Sequence, residues 1–252
     1  FQKAAAFFNA RGGNGKLVIS KGTYVVGKQN FNPNSTNLPV YEGEKLLLFN
    51  NVKKLEIVGE GYPKILYRKG LRFGSFDSKT GRPLNSENNF FNRNASASIQ
   101  NAIEISNCTD IKIKNIEFDG NSNEIILGGI WGDIGRQLPH SGIWIGNSAK
   151  IIIDNIYVHH FGLDGIIIAN AERKTLLKDE ISILNCRFEY NARQGLSWVG
   201  GNELLIINSK FNNTGRGKFS SSPGAGVDIE AEVGPVTHGK LINCEIVNKV
   251  GC

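Results

Sequence analysis

Short runs of alternating apolar and polar residues recur along the chain, each closing on an asparagine. Aligned on that residue they read IKIKNIEF (111–118), IIIDNIYV (151–158), ISILNCRF (181–188), LLIINSKF (204–211) and KLINCEI (240–246). The asparagines are Asn115, Asn155, Asn185, Asn208 and Asn243. A second set interleaves with the first: AIEIS (102–106), GIWIGN (142–147), GIIIAN (165–170), GLSWVG (195–200) and GVDIEA (226–231). Its glycines, Gly142, Gly165, Gly195 and Gly226, are 23, 30 and 31 residues apart, a short base period lengthened by insertions. Alternation with period two marks strands that bury one face, and a repeat of this length marks a solenoid. The pattern predicts an all-β fold, a right-handed single-stranded parallel β-helix with three short sheets. The Gly-led segment supplies the first strand of each coil, the segment before Asn the second, and the piece after Asn the third. A single Asn between second and third strands suits a turn through the left-handed region. Stacked at the ~4.8 Å strand spacing, these side chains form a hydrogen-bonded ladder. Alternation sends Ile111, Ile113, Ile116 and Phe118 inward, with Lys112 and Glu117 outward. A leucine-rich solenoid would need regular Leu spacing and helix-forming stretches that the chain lacks.

The rest of the chain fits the same object. FQKAAAFFNA (1–10) favours a helix that caps the open end of the solenoid. KLVISKGTYVVG (16–27) reads as strand, turn, strand, and the first strands and coil run to residue 67. Regular coils occupy 101–252, so residues 1–252 form one domain. The sequence stops just after a third strand without a terminal helix, and an uncapped end exposes strand edges; a further C-terminal cap or coils are therefore expected beyond Cys252.

Composition agrees with this reading. The chain holds 30 Gly, 29 Asn and 29 Ile, residues of tight turns and strands. No apolar run approaches the ~20 residues of a membrane helix. Cys108, Cys186, Cys244 and Cys252 include no CxxC pair and no His-linked zinc spacing. Cys186 and Cys244 take inward positions two coils apart, roughly 9–10 Å, too far for a disulfide, and read as free core thiols. The charge of +6 is scattered, with no nucleic-acid motif, and suits an acidic polysaccharide or solubility alone.

The opening helix, then KLVISKGTYVVG, then KLEIVGEG (54–61) resembles the start of the pectate lyase-like superfamily. That superfamily includes pectate lyases, polygalacturonases, alginate lyases and epimerases, and phage tailspike glycosidases. The resemblance covers essentially the whole chain at the level of fold and implies an extracytoplasmic carbohydrate-active protein, secreted, periplasmic or at the cell surface. It does not carry the chemistry. Only LDG (163–165) is faintly similar to the polygalacturonase Asn-Thr-Asp, and neither the Asp-Asp pair, the Gly-His-Gly nor the Arg-x-Pro-x-x-Arg run of pectate lyases is present. GLRFGSFDSKTG (70–81), GGIWGDIGRQLPH (128–140), ARQGLSWVGG (192–201) and GAGVDIEAE (224–232) are similar to stretches of bacterial β-helix proteins of unassigned activity.

Within such a solenoid, alternation predicts which first-sheet side chains face outward. One column is Glu104, Trp144, Ile167, Ser197 and Asp228; the next is Ser106, Gly146, Ala169, Val199 and Glu230. Loops 68–100, 119–141 and 212–225 are long enough to wall a groove over this face. Trp144 offers a flat ring for sugar stacking, unless it packs beneath a neighbouring loop. Asp228 and Glu230 share a face, their carboxyls ~6–8 Å apart, within the range of inverting glycosidases. Asp164 lies in the turn two coils away, and Arg193 with Gln194 in the turn between. Arg193 would clamp a uronate or neutralise the intermediate of a β-elimination, and His159 or His160 would serve as base. The catalytic candidates are thus Asp228, Glu230, Asp164, Arg193 and His160, with Trp144, Gln194, Ser197, His159 and Glu232 binding substrate. The simpler alternatives are an Arg193 that pairs with Asp164 or Asp228 and a solvated His pair. No metal or other cofactor is required, although Asp228, Glu230 and Glu232 form an acidic line suited to Ca²⁺. Two functions follow: a glycoside hydrolase or lyase acting on a polysaccharide, or a non-catalytic module for glycan binding, adhesion or assembly.

Overall fold

The computed structural model describes residues 1–34, 36, 38–85, 95–129, 138–171 and 178–251. It is the expected right-handed parallel β-helix. The first sheet stacks Leu47–Asn50, Ile103–Ser106, Ile143–Gly146, Ile166–Ala169, the start of Leu196–Ile207, and Val227–Ile229. The second stacks Gly13–Ile19, Lys53–Gly59, Thr109–Lys114, Ala149–Asp154, Ile181–Leu184, the end of Leu196–Ile207, and Val236–Ile242. The third stacks Thr23–Val26, Lys64–Tyr67, Glu117–Asp119, Tyr157–His159, Arg187–Glu189 and Lys210–Asn212. Every pairing within these three stacks is parallel, so like positions of successive coils form columns.

The columns explain the composition. Ile113, Ile153, Ile183 and Ile206 are partners in register and fully buried. Phe118, Val158, Phe188 and Phe211 form the facing column, with the last two rings stacked at 5.1 Å. Each such side chain contributes about 1.5–3 kcal/mol by leaving water. The ladder asparagines all sit at positive φ, between 52° and 59°. Asn155 donates to Asn115 (2.9 Å), Asn208 to Asn185 (3.4 Å) and Asn243 to Asn208 (2.7 Å); Asn185 departs from the pattern and donates to Asp154. The glycine column has a different cause. A Cβ on Gly142, Gly165 or Gly195 would lie 2.5–2.6 Å from the carbonyl oxygen of the next glycine in the column. Close approach of backbones, not positive φ, demands glycine there.

Helix Gln2–Arg11 caps the first coil, burying Ala5 and Phe8. Asn9 acts as a surrogate strand, donating to the Leu48 carbonyl and accepting from the Asn50 amide at the sheet edge. No helix among the described residues is long and apolar enough to cross a membrane. In the last described coil the inward Ile229, Leu241 and Ile246 are exposed.

Three expectations need correction. Part of the inserted chain does not form simple groove walls: Gln29–Phe31, Tyr41–Gly43, Arg72–Ser75, Ser96–Ser98 and Ile126–Gly128 build an accessory five-stranded sheet with its own core of Val40, Tyr41, Phe76 and Ala97. Leu196–Ile207 runs unbroken through the corner between the first and second sheets. A register shift there pairs Ala169 with Gly200, so Val199 leaves the second outward column and is buried. Cys186 is a buried free thiol, but Cys244, in the last coil, is only half-buried. Cys252 lies outside the described residues.

Candidate functional site

The outward column Glu104, Trp144, Ile167, Ser197 and Asp228 pairs residue by residue as expected. At its N-terminal end Trp144 is half-buried, its six-membered ring folded over Gly146, where an added Cβ would lie 2.1 Å from the indole. Beside it Glu104 accepts from Asn101 (3.1 Å) and pairs with Lys45 (3.4 Å). Trp144, Glu104, Asn101, Lys45, Asn50 and Asn107 line an open depression of about 530 Å³. Asn and carboxylate groups around an aromatic plane are the composition that sugar recognition uses. Alternation placed Glu104 beside Trp144 in the outward column without giving it a role, whereas Asn101 and Lys45 were not named, because only coil stacking brings them to the indole.

Further along the axis lie Asp164, one coil beyond Trp144, then Arg193 and Gln194, two coils beyond, and Asp228, three coils and roughly 14 Å beyond. Arg193 forms a bidentate pair with Asp164, Nε to Oδ1 at 2.8 Å and Nη2 to Oδ2 at 2.5 Å. Asp164 is fully buried and Arg193 nearly so. Burial pushes the Asp164 carboxyl up, and the guanidinium opposes it. The pair is a closed structural unit rather than a free base beside a free clamp. Gln194 is buried and donates from Nε2 to Asp228, while its Oε1 has no partner among the described residues. Ser197 points outward but is only 2% exposed. Asp228 itself is half-buried; burial and then the nearby Glu230 raise its carboxyl, against Arg193. The strand ends at Ile229, so Glu230 follows it rather than belonging to it. Glu230 and Glu232 are exposed, and a side-chain hydrogen bond between them raises Glu230. Among the described residues the three carboxylates do not converge as a cation site would require.

His159 and His160 are elsewhere. His159 ends the third-sheet strand Tyr157–His159, and His160 follows in the left-handed region with φ 55°. Parallel pairing sets Asp119 beside His159 and Glu117 beside Tyr157. His159 Nε2 lies 3.2 Å from Glu117 Oε1, and the two Nδ1 atoms of the histidines face each other at 2.6 Å. Lys64 bridges Asp119 (2.6 Å) and Glu117 (2.9 Å). Burial lowers both rings toward the neutral form. The histidines interact with these third-sheet groups and not with Asp164 or Asp228, so the structure divides the expected cluster in two. A signal for this second cluster exists in the chain: Asp119, His159, Glu189 and Asn212 each stand four residues after a ladder asparagine.

The family model described as a right-handed beta helix region matches residues 76–232. Neither the curated proteins nor the solved structures searched include a match.

Proposed function

Since this chain belongs to the right-handed β-helix family, we propose that the outer face of its first sheet binds a polysaccharide, and that Asp228 cleaves it as general acid. The observation that carries the reading is the Trp144 indole folded over Gly146 in a depression it shares with Glu104, Asn101 and Lys45. Such a platform stacks on a sugar face while polar groups take its hydroxyls. Asp228 is supported as the acid because burial and Glu230 favour its protonated form, with Glu230 as the second carboxyl. Hydrolysis is preferred to β-elimination because Arg193 is engaged by Asp164. An acidic glycan fits the net charge of +6. Likeness to the pectate lyase-like superfamily, and activity outside the cytoplasm, belong to the same proposal.

A non-catalytic glycan-binding role is favoured by the burial of Asp164 and Ser197. A polysaccharide panel separates the two readings. Hydrolysis releases reducing ends; Asp228→Asn abolishes them but keeps binding, and Trp144→Ala weakens binding about tenfold, a loss of ~1.4 kcal/mol. Binding without reducing ends supports the module. A glycan bound equally well by Trp144→Ala refutes the proposed face.

A further inference from the structure

We propose that Asp119, His159 and His160 form a binding site for a first-row divalent transition metal, Zn²⁺ being the reference ion, on the outer face of the third sheet. One ligand atom from each residue lies within 4.8 Å of those of the other two. The separations are 2.6 Å between the two Nδ1 atoms and 3.7 Å from His159 Nδ1 to Asp119 Oδ1. Metal–nitrogen bonds of ~2.0–2.1 Å in tetrahedral geometry place neighbouring ligands roughly 3.3 Å apart. Small rotations of the rings, opening one distance and closing the other, therefore satisfy an ion.

Independent features of the surroundings point to the same use. His159 Nε2 faces the Glu117 carboxylate at 3.2 Å, which can only accept. That contact holds the proton on Nε2 and leaves the Nδ1 lone pair directed at His160. A carboxylate behind a histidine is the usual outer support of a metal ligand. Both rings are also supported near this arrangement: His159 stacks on Tyr157 at 4.1 Å and His160 on Tyr190 at 5.1 Å. Asp119 gives Oδ2 to Lys64, while Oδ1 accepts from the Asn121 amide and keeps a lone pair toward the histidines.

Without metal, one proton lies between the two Nδ1 atoms, on His160. On coordination it moves to His160 Nε2, so both rings stay neutral and none is released. The charged groups nearby are Asp119, Glu117 and Glu189 against Lys64 and Arg187, an excess of one negative charge. Two imidazoles and one carboxylate favour Zn²⁺, Co²⁺ or Ni²⁺ over Ca²⁺. Three protein ligands leave a further position open to water or another small donor.

The probe is the metal alone, added to chelator-stripped protein. Wild type is expected to bind one Co²⁺ per chain with a visible d–d band, displaced by Zn²⁺. His160→Asn is a suitable variant, since Asn213 and Asn248 hold the same left-handed corner with φ of 56° and 54°. His160→Asn and Asp119→Asn should abolish the band while the circular dichroism of the stripped protein is unchanged. Glu117→Gln should weaken binding about 10–100-fold. Three results overturn the assignment: no Co²⁺ bound by folded wild type at ~0.1 mM, unchanged binding in a His159→Gln/His160→Asn double variant, or a sulfur-to-cobalt charge-transfer band, which places the ion on cysteine.

Discussion

On the first sheet, ionisable groups of neighbouring coils meet partners of matching chemistry: Arg193 lies against Asp164, Gln194 against Asp228, and Lys45 against Glu104. On the third sheet, Asp119, His159 and His160 meet groups that leave two ring nitrogens facing one another. Both faces are built from identical parallel pairing. The contrast teaches that in a solenoid a side chain's chemistry is decided by the residue one coil away, 29 to 59 positions distant in the chain for these three first-sheet pairs. An outward charge found by alternation is therefore only half of a site.

The contrast can be broken at several points. The largest effect concerns His140, buried in the corner between the two faces against Tyr67, Phe73 and Phe161, with Nδ1 accepting from the Gly162 amide. Burial lowers its pKa from 6.5 to about 3. A depressed histidine contributes stability that is complete above pH 6.5 and is lost as pH falls toward 3. The loss should approach roughly 5 kcal/mol. Denaturant titrations from pH 7 to 4 check it, and a His140 ring that titrates by NMR above pH 5 contradicts it.

Next, Arg193→Met should cost about 3–5 kcal/mol by stranding a buried Asp164 carboxylate. The double variant with Asp164→Asn should recover most of this in urea unfolding. Failure to recover would mean that the guanidinium serves something besides Asp164.

Asn208→Ala removes a ladder rung and forces alanine into φ 52°; about 1–2 kcal/mol should be lost. Replacement by Gly should cost less, which separates strain from hydrogen bonding.

The smallest effect is at Asp228. Its raised carboxyl contributes stability that is present below its ordinary value and is lost as pH rises through the folded value. Asp228→Asn should therefore be slightly more stable than wild type at pH 7, by under about 1 kcal/mol after solvent screening. The difference should vanish near pH 3; melting temperatures at the two pH values decide it.

Much of this was legible from residues. Ile113 and Phe118 announce their inward positions by alternation, the αL asparagines announce corners, and the first outward column could be written down correctly from Glu104 to Asp228. Val199 was misplaced because a register shift leaves no mark on alternation. The Asp164–Arg193 pair appeared only as one of two alternatives, since sequence spacing cannot weigh burial against exposure. Asp119 and Glu117 were missed although their offset from Asn115 matches those of His159 and Tyr157 from Asn155.

Sequence by itself determined the solenoid, the inward and outward sense of its strands, and the need for glycine and asparagine at fixed points of each coil. Those are local properties of backbone sterics and of a period-two pattern repeated often enough to exclude other registers. Tertiary structure alone decided which carboxylate is neutralised, where Trp144 lays its ring, and that two histidines converge with Asp119. Each depends on side chains from different coils meeting at the ~4.8 Å stacking distance. At that range burial and the charge of the neighbour outweigh a residue's own chemistry.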